Sequence, residues 1–181
     1  MEDRIEQRVT VRATVDAVWQ LVTRPGWWLP GSKAEPARGP GRATVEYGDD
    51  KRPYVVDVVR VEPKGYVSYR WASAFGGAAP APSRSTLVEF YVRPAGDEVG
   101  VTVVESGFAS LDLSDALRED AWKGNTGGWQ YELAGLRIRA EQGSTQGSTV
   151  PRGDSPLASG APAPDHPWPP YPPMRPSAAT Q

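Results

Sequence analysis

Few side chains in this sequence are equipped for chemistry, and the one that stands out is Glu105. Along Val99-Gly100-Val101-Thr102-Val103-Val104-Glu105-Ser106 the period-2 pattern of a strand puts Glu105 on the same face as Val101 and Val103. If those valines point inward, so does the carboxylate. An inward carboxylate is costly unless paired or hydrogen-bonded, and such a group orients a ligand or works as an acid or base with a raised pKa. The competing reading leaves Glu105 at the strand end, partly wet and paired with an arginine.

The rest of the chemical inventory is thin. The chain has no cysteine and a single histidine, His166, which sits between Asp165 and Pro167 in a Pro-rich stretch that offers nothing to fix it. A base needs a partner that holds it in place, so His166 reads as a solvated residue. Ser-His and Cys-His nucleophiles and an ordinary zinc site are excluded on these grounds. Gly76-Gly77 is followed by alanine and proline, with no lysine to complete a phosphate loop. No cofactor is expected.

The elements that must position Glu105 are strands bracketed by two helices. Ile5, Val9 and Val11 share one face of an opening strand, which runs into a helix carrying Val15, Val18, Trp19 and Val22. Thr14 is placed to cap that helix and Asp16 lies in its first turn. Arg24-Pro25-Gly26 breaks it, and Trp27-Trp28-Leu29-Pro30-Gly31 sets large apolar groups between turn formers. Two adjacent tryptophans in a loop are expensive to expose, so they should cover something.

Strands are expected at about 42–47, 54–62, 66–74, 85–93 and 99–108, each bounded by Gly, Pro or Asp, with short connections that imply antiparallel neighbours. Val67, Tyr69 and Trp71 alternate onto one face, as do Val88, Phe90 and Val92. Both sets should look toward Trp129 on the closing helix, whose Trp122, Trp129, Leu133, Leu136 and Ala140 form a narrow stripe. Gly124, Gly127 and Gly128 each cost roughly 1 kcal/mol relative to Ala in a helix interior. The expectation is a kink there, or a helix that begins near Asn125 after a separate turn over 113–122.

Composition divides the chain. Ten of the 19 prolines follow Glu141, in a stretch without apolar periodicity. Residues 1–141 are read as one globular domain and 142–181 as a disordered tail, because such a segment buries too little apolar surface to offset its ordering entropy. The run Pro167-Trp168-Pro169-Pro170-Tyr171 favours polyproline II, with docking into an aromatic groove as its functional alternative. A net charge of -2 gives no reason to expect nucleic acid. No apolar run approaches the ~20 residues of a membrane span, and the charged first residues do not resemble a signal peptide. A cytoplasmic protein is expected.

Four pieces, in order, resemble the SRPBCC superfamily, the START-like or Bet v 1-like helix-grip domains, in particular its activator-of-Hsp90-ATPase-like branch. They are the stretch from Val11 to Trp19; Val67-Ser68-Tyr69-Arg70-Trp71; Thr86-Leu87-Val88-Glu89-Phe90 with Val103 to Phe108; and Gly128-Trp129 with Leu133 and Leu136. Thr14 stands where this branch often has proline.

The resemblance implies an α+β helix-grip fold: a curved antiparallel sheet wrapped around a long C-terminal helix, with two short helices after the first strand. It also implies a small lipophilic or amphipathic ligand held between sheet and helix. Trp28, Trp71, Phe90, Glu105 and Trp129 are the candidate lining, and Trp27, Trp28 and Phe75 lie in loops able to close it. Most of these aromatics are equally readable as plain core. Relatives include polyketide cyclases or dehydratases, and co-chaperones that stimulate the Hsp90 ATPase through the sheet surface with a chaperone as partner. The thin supply of acid-base groups counts against the first, and the lack of the additional N-terminal domain of the full eukaryotic activators counts against the second.

Overall fold

A computed structural model describes residues 2–145. The opening strand β1 (Arg4–Val11) leads into helix α1 (Val15–Val22), and five strands follow: β2 (Gly41–Tyr47), β3 (Arg52–Glu62), β4 (Tyr66–Trp71), β5 (Thr86–Ala95) and β6 (Glu98–Ser106). Helix α2 (Asp115–Thr145) closes the described part, and single 3-10 turns stand at Ser73–Phe75 and Phe108–Ser110. The strands form one sheet in the order β1-β6-β5-β4-β3-β2, every neighbouring pair antiparallel. The first and last strands in sequence therefore lie side by side, and α2 packs against β1 and α1.

Alternation does what the sequence pattern requires. Val67, Tyr69 and Trp71, then Thr86, Val88, Phe90 and Val92, then Val99, Val101, Val103 and Glu105 are all buried. They meet Ala121, Asn125, Trp129, Leu133, Leu136 and Ala140 of α2, also buried. Their spacings of four, four, four, three and four keep one helical face on the sheet. A bulge between Val58 and Arg60 shifts the register of β3 against β4, a device that bends a strand and raises its twist.

Three expectations change. Only one helix separates β1 from β2: residues 25–31 form successive turns instead of a second helix, with Gly26 and Gly31 at φ +68° and +79°. Those left-handed positions, beside two prolines, prevent a helical run. Helix α2 is one continuous element from Asp115 and does not restart at Asn125. The inward side chains before, among and after the glycines are anchored, Ala121 and Trp129 in the core and Asn125 by hydrogen bonds, so packing overrides the local glycine penalty. Trp122 is only half-buried; it stands beside the inward stripe, and its Nε1 donates to the Arg4 carbonyl at 3.3 Å.

Thr14 caps α1 as expected: its Oγ1 accepts from Ala17 N at 3.2 Å. Helix α2 runs four residues beyond Glu141, and the expected tail after it, with His166 and the Trp168–Tyr171 segment, lies outside the described residues.

Candidate functional site

Three strands and α2 converge on Glu105. Register sets its place: on β6 it stands opposite Ile5 of β1 on one side and Val88 of β5 on the other, with its side chain turned under α2. Trp71 and Thr86 are cross-strand partners on β4 and β5, so their side chains leave the same face together. From above, α2 contributes Asn125 and Trp129, four residues apart on one helical face.

The carboxylate is fully buried. Its Oε1 accepts from Thr86 Oγ1 at 2.6 Å, Trp71 Nε1 at 2.8 Å and Asn125 Nδ2 at 2.9 Å, and its Oε2 accepts from Trp129 Nε1 at 2.6 Å. Every one of these partners is a donor, and no lysine or arginine among the described residues forms an ion pair with it. The strand-end reading with an arginine partner is thereby overturned.

Burial pushes the Glu105 pKa above the ordinary carboxylate value, while the four hydrogen bonds pull the other way by holding the charged form. Desolvation prevails because no opposite charge compensates the carboxylate. The Asn125 Oδ1 next to this network is buried without a partner.

Beside the carboxylate stands an aromatic cluster with Trp28 at its centre. The Trp28 ring lies 5.3 Å from Tyr69, 5.5 Å from Trp71, 5.5 Å from Trp129, 5.8 Å from Phe90 and 5.9 Å from Trp27, measured between ring centres. Trp71 and Trp129 are themselves 5.8 Å apart, and Phe90 and Trp129 5.6 Å. All five candidate residues, Trp28, Trp71, Phe90, Glu105 and Trp129, are thus brought together. Where a ligand space was expected, the indole of Trp28 stands.

Trp28 reaches this position from the turn that follows α1, and its Nε1, like that of Trp27, is buried without an acceptor. Arg139 of α2 sits 5.5 Å from the Trp27 ring, over the outer side of that turn. Phe75 is also buried, beneath Arg84 at 4.9 Å. Tyr69 donates its hydroxyl to the Val22 carbonyl at 2.7 Å, tying the end of α1 to the sheet, and burial pushes its phenol pKa well up.

Thr86, Asn125 and Tyr69 complete the site and were not among the candidates. Thr86 alternates with Val88 and Phe90, so its inward face was legible; Asn125 precedes Trp129 by four residues, a helical turn, but was assigned to a helix start. On the opposite face of the sheet an open depression of about 480 Å³ lies among Arg8, Tyr91, Arg93 and Thr102, apart from the aromatic cluster. Among the described residues no helix is long and apolar enough to cross a membrane, and no three His, Cys, Asp or Glu side chains gather to hold a metal ion.

The strand order, the long gripping helix and the single helix after β1 decide the architecture. The fold is that of the SRPBCC, or Bet v 1-like, proteins. Solved structures similar to this one include protein MLL2253 from Mesorhizobium loti, 20% identical with a TM-score of 0.58 over 77% of this chain and 97% of that one. The Aha1 dimer from Colwellia psychrerythraea is 17% identical, with a TM-score of 0.56 over 77% of this chain and 97% of the other. DynU16, a putative protein in the dynemicin biosynthetic locus, is 23% identical with a TM-score of 0.56; the match covers 80% of this chain and 49% of that one. No family model and no curated protein matches the sequence.

Proposed function

We propose that this SRPBCC-type domain binds a small apolar or amphipathic molecule between the sheet and α2, against Trp71, Phe90, Glu105 and Trp129, in the place that the Trp28 indole fills when no ligand is bound. The observation that carries the reading is Glu105, a fully buried carboxylate with four donors and no cation. An apolar residue of similar volume would serve the core as well or better, since a buried charge is a poor source of stability. A carboxylate whose pKa burial raises, set against an aromatic cluster, instead supports ligand contact.

A titration of the full chain with the neutral fluorophore N-phenyl-1-naphthylamine tests this. Saturable quenching of tryptophan emission at one site is expected, tighter in Trp28→Ala than in the parent. Absence of saturable quenching in both proteins overturns it.

The same carboxylate favours a second reading, in which the domain is a cyclase or dehydratase-like enzyme with Glu105 as its acid or base; the likeness to DynU16 supports it at the level of fold. Turnover of a polyketide-like substrate that vanishes in Glu105→Gln would move the reading from binding to catalysis.

A further inference from the structure

The binding site proposed above has the chemistry of a receptor for an organic cation. We propose, resting on that reading, that its ligand carries a quaternary or protonated amine on an apolar body, and that Trp28 holds the place of the cationic end in the empty protein.

The aromatic geometry comes first. With the Trp28 indole swung out, its vacated centre is walled by Tyr69, Trp71, Phe90 and Trp129, whose ring centres lie 5.3 to 5.8 Å away. A cation over the face of an aromatic ring is attracted to it when within about 6 Å of its centre, and four ring centres lie within that reach of this place. In the present packing Trp28 meets Tyr69 and Trp71 at interplanar angles of 66° and 87°. In such pairs the electropositive edge of one ring turns to the electronegative face of the other.

The carboxylate adds the second half. Trp71 and Trp129, two of the four walls, donate their N–H groups to Glu105. Donation to an anion polarises each indole and enriches its ring in electron density, which strengthens its hold on a cation. Glu105 has no positive partner and is already removed from water, so an incoming cation gains Coulomb attraction without stripping that carboxylate a second time. A neutral guest gains nothing from either feature.

Trp28 is suited to leave. It belongs to a turn, between Gly26 and Gly31, and its buried N–H has no acceptor, so exposure to water satisfies a donor that the closed state leaves unpaired.

The test compares two guests of one shape on the full chain: phenyltrimethylammonium and its uncharged isostere tert-butylbenzene, each titrated against tryptophan emission. The cation is expected to bind about tenfold tighter or more, with the order reversed in Glu105→Gln. Should that variant fail to fold, Trp28→Ala with Glu105 intact must itself prefer the cation. Tighter binding of the neutral isostere in the parent or in Trp28→Ala overturns the cation assignment while leaving the pocket standing. Binding of neither guest to either protein removes the pocket and the assignment together.

Discussion

Trp129 of the long helix and Glu105 of the last strand are joined by a 2.6 Å hydrogen bond, indole N–H to carboxylate Oε2, in the fully buried interior. This bond, with that from Asn125, makes the helix–sheet contact directional where apolar packing alone would let α2 slide. Trp129→Phe keeps most of the ring but removes the donor, leaving Oε2 without its partner. A loss of about 1–3 kcal/mol is expected in denaturant unfolding, more than the ring's smaller area explains. A loss below 0.5 kcal/mol would mean that the bond contributes nothing net.

The raised pKa of Glu105 fixes the sign of a pH effect. A carboxylate whose folded pKa lies above its unfolded value binds more protons in the native state between the two values. Stability from this group is therefore fully present below the unfolded carboxylate pKa and is lost as pH rises through the folded one. Glu105→Gln removes the titration, so the stability of the parent minus that of the variant should fall as pH climbs from 4 toward neutrality. Thermal unfolding of both proteins across that range checks it; a difference that grows with pH would show the four donors outweighing burial.

Gly77 follows the β4 end and approaches Tyr54 closely. A Cβ at Gly77 would stand 2.5 Å from the Tyr54 ring, and the backbone there has φ +76°, in the left-handed region. Its carbonyl also accepts from Val55 N at 3.1 Å, so the segment cannot simply move away. Gly77→Ala should cost about 2–4 kcal/mol from strain and displacement of the ring together. A melting temperature within 2 °C of the parent would contradict this.

Much of this architecture was legible because it rests on alternation. Tyr69, Trp71, Phe90 and Glu105 point inward for no other reason than their place in period-2 runs, and the order of those runs sufficed for the fold. The carboxylate's partners were harder to read. Trp71, Thr86, Asn125 and Trp129 come from three elements far apart in sequence, and only pairing register and the seating of α2 make them neighbours. Nor does any local pattern say that Trp28, in a loop, would be the ring at the centre. The start of α2 was misjudged for a related reason: glycine propensity is local, whereas Ala121 and Asn125 hold the helix through contacts with remote strands.

That last point yields a stabilising change. Gly127 lies on the exposed side of α2, and a Cβ added there meets nothing within 4 Å. The residue is helical, with no positive φ to demand glycine. Alanine should therefore restrict the unfolded chain and improve helix propensity without disturbing any contact, raising stability by about 0.5–1 kcal/mol. At Gly128, which is buried beside Trp129, the same substitution carries no such assurance. Denaturant midpoints of the parent and Gly127→Ala decide the matter. An increase shows that the helix was continuous and penalised, while a decrease would mean that this stretch of α2 needs the freedom of glycine, and with it that the seating of Trp129 against Glu105 depends on a helix that can yield.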